Sequence, residues 1–445
     1  MIAMYNILIV DDEPLICEGL TQLLSTSGIA INGLFNAHSG YEALDYLRME
    51  DIDLLVTDIQ MGSMSGIELM QQAKIIKPWV QVIIISAHET FQYAQLAIRF
   101  GAKDYLIKPL NSEQFLSSVR HVLLHLDKTA RDSEQLLSEL SESFHMREPL
   151  PVRMALVKKL LEPHTADRDA AIAELSRQHG VELVGPYYAV IKVRLDLESG
   201  GRSLTHKDGE LLQYAVLNIA SELLGKEWDY QSLYDSAGSV CIVIQWNEAK
   251  YGDTSVDKVN QLEMIGRSLH FNIHKFLGFG SVVGISQILK GASFLGVTNE
   301  QADKAMKWSR QFKDHYVFYY GDFKWGVYSE EEPTEDEIAA QNNLIVERST
   351  KYIHQNYAQK GLTLNEVALK NHVSPNYLSY LFKKKTGYNL WEYVIKLRME
   401  ESKRLILGTD LRRYEISELV GYESPEHFSK IFKKYFGMSP SEMKK

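Results

Sequence analysis

At 445 residues the chain has room for two to four domains, each with its own core, and its 45% apolar and 24% charged residues are an ordinary globular balance. Two cysteines, Cys17 and Cys241, exclude a disulfide framework and a cysteine zinc site, and make a reducing cytoplasm the expected compartment. The net charge of −10 is unevenly spread: residues 344–445 hold 18 Lys and Arg against 11 Asp and Glu, which leaves −17 on residues 1–343. A basic end on an acidic body is what a module facing a polyanion would show.

The opening MIAMYNILIVDDE enters a strand-like run and then meets acidic residues, which predicts no signal peptide. No apolar run approaches the roughly 20 residues that span a bilayer, so no membrane partner is expected. From residue 5 to 126, short apolar runs alternate with helical patterns: Ile7–Val10, a weaker run near Ile31–Phe35, Leu54–Val56, Val82–Ile85 and Tyr105–Ile107. Runs that are apolar throughout predict strands buried on both faces, and five βα units predict a doubly wound parallel sheet. Ligands of that architecture sit beyond the carboxyl ends of the strands.

Polar residues fall at those ends. Asp11 and Asp12 close the first strand, Asp58 the third and Ser86 the fourth, and Lys108-Pro109 follow the fifth. Three carboxylates around one crevice repel each other, and Mg²⁺, which favours carboxylate oxygens and water, would resolve the conflict. Asp58 could then attack a phosphoryl group, with metal and lysine offsetting charge on the transferring oxygens.

The strings ILIVDDE, LLVTDIQM, IIISA and AKDYLIKP, in this order, resemble the receiver domain of two-component response regulators. The resemblance implies that Asp58 is the phosphoacceptor and a sensor histidine kinase the donor. It implies Mg²⁺ on Asp12, Asp58, the Gln60 carbonyl and, through water, Asp11. Ser86, Tyr105 and Lys108 would be the switch residues, with a cis Lys108-Pro109 bond. The sequence departs from the family at Gly62, where proline is usual, and at Ser65, where aspartate is common; both are expected to loosen the loop after Asp58. A phosphatase of the haloacid dehalogenase type would need its nucleophile in a D-x-D motif after the first strand, where this chain reads Asp11-Asp12-Glu13.

After the fifth strand, Leu116, Val119, Leu123, Leu126, Ala130, Ser133, Leu137 and Leu140 follow an a/d spacing. Residues 127–151 are therefore either a coiled-coil extension of the last helix, or a linker after a helix whose first half packs on its own sheet. REPLP, 147–151, breaks any helix. Residues 152–328 read as an α+β domain with a hairpin over 230–246 turning at Asp235–Gly238, a helix at Glu300–Phe312 and a last strand at Tyr316–Tyr320. The run GFGSVVGISQILKGASFLGVTNEQADKAMKWSRQF, with HYVFYYGD after it, resembles degenerate GGDEF-like domains. The candidate hairpin reads YDSAGS and lacks the cyclase signature, so no enzyme activity is expected. The acidic SEEEPTEDE begins a solvated linker assigned to residues 329–343.

The end of the chain is helical and repeats itself. SPNYLSYLFKKKTG, 374–387, recurs as SPEHFSKIFKKYFG, 424–437, with seven of fourteen positions identical. Each copy starts with a capping Ser and Pro and stops at Gly. LNEVALK and YEISELV precede the copies as short helices, which makes two helix-turn-helix units. NLWEYVIKLRMEESKRLIL, 389–407, predicts a rigid connector holding them about 34 Å apart, one DNA turn. Asn376, Ser379, Tyr380 and Lys383 face outward in the first copy, and Glu426, Ser429, Lys430 and Lys433 in the second.

Residues 344–445 resemble the AraC/XylS-type DNA-binding domain. That implies base reading by Asn376, Ser379 and Tyr380 and by Glu426, Ser429 and Lys430. Lys383, Lys384, Lys433 and Lys434 are placed for phosphates of double-stranded DNA. Asn371-His372 stands where the second unit has Val420-Gly421, and the first unit is expected to pack less tightly there. The whole order resembles YesN-type response regulators: a phosphorylation-controlled transcription regulator, homodimeric when phosphorylated, with carbohydrate-utilisation genes among its expected targets. A ligand-gated transcription factor sensing a small molecule through residues 152–328 is the alternative.

Overall fold

The structure, a computed structural model, describes residues 4–62, 64–77, 79–87, 102–128, 159–161, 172, 177, 183, 185–197, 206–225, 228–234, 238–253, 257–322 and 335–444. The chain divides into two compact units, Met1–Tyr320 and Gly321–Lys445. No helix among the described residues is long and apolar enough to cross a membrane.

The first unit begins with strands β1 (Tyr5–Val10), β2 (Ile31–Ala37), β3 (Leu54–Asp58), β4 (Gln81–Ser86) and β5 (Asp104–Ile107) in one parallel sheet of order β2-β1-β3-β4-β5. Helices α1 (Pro14–Ser25), α2 (Gly40–Met49), α3 (Gly66–Ile76) and α4 (Ser112–Lys128) accompany them. Alternate strand residues serve the two faces. Leu8, Leu55, Val82 and Ile84 pack with Leu44, Leu47, Leu69 and Met70 from α2 and α3. Ile7, Ile9, Val56 and Ile83 pack with Leu20 and Leu24 of α1 and with Phe115, Val119 and Leu123 of α4. This double burial is why the strands read as continuous apolar runs. In α4, Val119 and Leu123 spend their apolar edge on the sheet, at about 2 kcal/mol each. The proposed seam at Ala130, Ser133, Leu137 and Leu140 lies outside the described residues, as do Arg147–Pro151.

The same unit contains a second, six-stranded sheet: β6 (Tyr187–Asp196), β7 (Asp229–Tyr234), β8 (Val240–Trp246), β9 (Gly280–Ile285), β10 (Leu289–Lys290) and β11 (Val317–Tyr319). Its order is β11-β9-β6-β8-β7, with β10 pairing β6. The strands from β6 to β9, with α5 (His206–Leu224) and α6 (Lys258–Leu277), form a βαββαβ arrangement. Ala189, Ile191 and Val193 of β6 face Leu212, Val216, Leu262 and Leu269 of these helices. Tyr188 and Val190 face the other way, towards Leu295 and Ala302 of α7 (Leu295–Lys307). Gly284 permits that packing, since a Cβ there would lie 2.2 Å from the Ala302 carbonyl oxygen. The expected helix at Glu300–Phe312 thus starts earlier, at Leu295, and tightens to a 3₁₀ turn at Trp308–Arg310. Asp235 lies outside the described residues.

In the second unit, α8 (Glu335–Asn356) runs through the segment assigned as a linker up to residue 343. The acidic run yields to helix because Ile338, Ile345 and Val346 bury an apolar edge. There follow α9 (Leu364–Asn371), α10 (Pro375–Thr386), α11 (Leu390–Gly408), α12 (Arg413–Leu419) and α13 (Pro425–Phe436). Asn389 and Glu392 form the capping box that starts α11.

Candidate phosphoacceptor site and nucleic-acid interface

The sheet order reverses direction between β1 and β3, which opens a crevice at their carboxyl ends. Asp11 and Asp12 follow β1 and Asp58 ends β3, so the oxygens of these three carboxylates come within 4.8 Å of one another. Lys108, just past β5, donates to Asp11 Oδ2 at 2.9 Å and to Asp58 Oδ2 at 2.7 Å. Burial by itself lowers an ammonium pKa, but the hydrogen bonds and charges of Asp58 and Asp11 outweigh it and hold Lys108 above the ordinary lysine value. Asp58 Oδ1 accepts from the Ile59 N–H at 2.6 Å, and Asp11 Oδ1 from the Glu13 N–H at 2.9 Å. Ser86 is fully buried at the end of β4, where its carbonyl accepts from the Lys108 N–H at 2.7 Å. Tyr105 lies on β5 opposite Ile84, and the Gln60 side chain is exposed just beyond Asp58. The Lys108-Pro109 peptide is cis.

One residue essential to this geometry carried no signal in the sequence. Gly66 donates its N–H to the Ile59 carbonyl at 2.8 Å, and a Cβ on it would lie 1.9 Å from the Asp58 carbonyl oxygen. The loop after Asp58 therefore folds back onto its own start only with glycine there. Gly62 has φ of 50°, a value closed to proline. Ser65 does not loosen the loop: it makes a capping box with Glu68 that starts α3. Cys17, tucked against the Asp11 carbonyl at 3.5 Å, is no reactive thiol, because burial and the Asp11 charge push its pKa up to about 12.

The repeated helices form as their caps predict. Ser374 and Ser424 cap α10 and α13, Pro occupies the first turn of each, and Gly387 and Gly437 end them in the left-handed region. Leu378, Leu381 and Phe382, and likewise Phe428, Ile431 and Phe432, are buried, so the opposite faces point outward. Lys383, Lys384, Glu426, Lys430, Lys433 and Lys434 are exposed, while Asn376, Ser379, Tyr380 and Ser429 are half-buried. Glu426 accepts from Arg413 at 3.2 Å, and Lys384 donates to the Tyr380 hydroxyl at 3.1 Å. In the first turn, Asn371 stays helical and its amide donates to Ser349 Oγ and the Val367 carbonyl, which ties α9 to α8. The left-handed residue is His372, with φ of 54°, where the second helix-turn-helix uses Gly421. Arg398, buried in α11 and unmarked in the sequence, donates to the Tyr357 and Gln359 carbonyls and lies over the Tyr422 ring at 5.1 Å. It joins the end of α8 to the second helix-turn-helix.

Residues 7–120 match the response regulator receiver domain, and residues 354–445 match a helix-turn-helix domain. With the acidic crevice and the paired helices in place, the chain is a response regulator that joins a receiver to a DNA-binding domain of the AraC type and acts in transcription regulation. Over 446 aligned residues it is 23% identical to the transcriptional regulatory protein YesN of Bacillus subtilis, covering 99% of this chain and 98% of that one. It is 32% identical over 111 residues to the transcriptional regulatory protein HptR of Staphylococcus aureus, covering 25% of this chain and 43% of the relative. Among solved structures, the C-terminal domain of the response regulator AraT from Geobacillus stearothermophilus is 41% identical, covering 22% of this chain and 83% of that one with a TM-score of 0.22.

Proposed function

We propose that Asp58 accepts a phosphoryl group from a sensor histidine kinase and that this event controls DNA binding by α10 and α13. The observation that carries the reading is the Lys108 ammonium between Asp11 and Asp58 at the mouth of the crevice. An Asp58 carboxylate oxygen attacks the phosphorus of a phosphohistidine; the P–O bond forms as the P–N bond breaks and the imidazole leaves. Lys108, already at hydrogen-bond distance from Asp58, neutralises charge on the transferred oxygens. Asp58 Oδ1 is oriented by the Ile59 N–H, and Ser86, at the neighbouring strand end, is the donor to the new phosphoryl group. Three carboxylates gathered in one place suit a small hard cation, held by Asp12, Asp58, the Gln60 carbonyl and, through water, Asp11. Mg²⁺ bound there supplies further charge compensation for the phosphoryl oxygens. The switch passes from Ser86 and Tyr105 to a homodimer, and the βαββαβ domain acts as a GGDEF-like structural part without catalysis.

In the DNA-binding unit, Asn376, Ser379, Tyr380, Glu426, Ser429 and Lys430 read bases, and Lys383, Lys384, Lys433 and Lys434 contact phosphates. The exposure of Glu426 and of the five lysines, with the apolar faces of both helices buried, supports this assignment. The test compares wild type and Asp58→Ala with and without acetyl phosphate, reading duplex DNA affinity and mass in solution. Donor treatment is expected to tighten binding about tenfold and double the mass in wild type alone. Equal tightening in both proteins sinks the assignment of Asp58.

A further inference from the structure

The two copies of the repeated helix are not equally presented. In the second copy the capping Ser424 hydroxyl donates to Glu426, a residue of its own helix, at 3.2 Å. Ser424 and Pro425 are half-buried and Glu426 is exposed, so the start of α13 is more open than that of α10. In the first copy the capping Ser374 finds its carboxylate elsewhere. Its hydroxyl donates to Asp322 Oδ2 at 2.8 Å, and its backbone N–H donates to Asp322 Oδ1 at 2.5 Å. Asp322 and Ser374 are only 2% and 3% exposed, and Pro375 is buried as well. Asn376, which stands at the position of Glu426, is half-buried.

The start of a recognition helix is the part that meets base edges in the major groove. Double-stranded DNA brings a dense row of phosphates to that place. A carboxylate brought in from another segment of the chain and fixed over the start of α10 therefore occupies ground that DNA needs. Asp322 is 52 residues away from its partner along the chain. Tyr320 and Gly321 alone separate it in the chain from the end of β11.

We infer that Asp322 is an autoinhibitory latch on the first helix-turn-helix unit: bonded to Ser374, it closes the reading end of α10 while α13 stays open, and withdrawal of Asp322 admits the second half-site. The inference rests on the DNA-binding reading above. It makes a prediction opposite in sign to a purely structural cap. A cap that only supports α10 would, when removed, weaken DNA binding.

The experiment uses the full chain as wild type, Asp322→Asn and Asp322→Ala. Wild type and the Asn variant each select duplexes from a random library. The selected duplex is then made intact and with each half-site scrambled in turn. Both variants are expected to bind the intact duplex about tenfold more tightly than wild type. Scrambling one half-site should abolish that gain, and scrambling the other should leave it. Thermal melting runs alongside, and the near-isosteric Asn variant retains the shape of the site should the Ala variant unfold. Weaker binding, unchanged binding, or a gain indifferent to both half-sites would overturn the latch while leaving DNA binding intact. Failure of every protein to enrich any duplex would overturn the DNA-binding reading and the latch with it.

Discussion

Lys108 and Lys74 show two opposite fates of a buried ammonium in one domain. Lys108 stands between carboxylates, and its partners keep it charged. Lys74 donates to the Val80 carbonyl, and among the described residues no carboxylate compensates its charge; burial, with the Lys103 charge adding to it, pushes its pKa down to about 7. An unfolded lysine keeps its proton to about 10.4. Between about pH 7 and pH 10 the unfolded chain thus holds a proton that the folded one lacks, and stability rises with pH by at most about 1.4 kcal/mol per unit. Lys74→Met is expected to lose that rise, so urea melts at pH 6, 8 and 10 should show wild type gaining on the variant. Asp11, Asp58 and Lys108 were legible in the sequence because apolar runs locate strand ends and strand ends locate the crevice. Lys74 and Gly66 were not, because their importance lies in which carbonyl they approach across a loop.

At the scale of elements, the two helix-turn-helix units solve one turn with different residues. His372 adopts a left-handed conformation that costs an L-residue about 1 kcal/mol, against about 0.5 kcal/mol of extra chain entropy for glycine. His372→Gly should therefore stabilise the DNA-binding unit by about 0.5 kcal/mol, read as a small upward shift of its melting temperature. Gly421 is not open to the reverse change, since a Cβ there would lie 2.6 Å from the Ala358 carbonyl oxygen. Lys433 and Lys434, exposed on the last turns of α13, are among the residues proposed above to contact phosphates. Substituting either with Ala should weaken binding to all duplexes alike and reduce the slope of log affinity against log salt by about 1. A loss confined to one sequence would reassign that residue to base reading.

Across the whole molecule, the −17 of residues 1–343 and the +7 of residues 344–445 divide the labour. In the function proposed above, the acidic part gathers carboxylates for a cation and a phosphoryl group, and the basic part meets polyphosphate. Removing divalent cations with EDTA should therefore abolish labelling of the receiver by a radiolabelled phosphoryl donor. The salt slope of DNA binding by the unphosphorylated chain should stay as it was. Labelling that survives EDTA would show that Lys108 alone suffices to neutralise the transferred group.

The parallel sheet, the acidic crevice and the doubled helix were all set by local pattern: continuous apolar runs, residues at strand ends, and Ser-Pro starts with Gly stops. Such features are legible because each depends on neighbours a few positions away. Tertiary structure decided what depends on distant neighbours. The acidic segment became helix at Glu335 because Ile338 found a core, Arg398 became a tie because two carbonyls and a ring met it, and Gly66 became obligatory because Asp58 lay above it. Above all, it distinguished two helices that the sequence writes almost alike. One serine cap was given a carboxylate of its own helix and the other a buried carboxylate from 52 residues upstream.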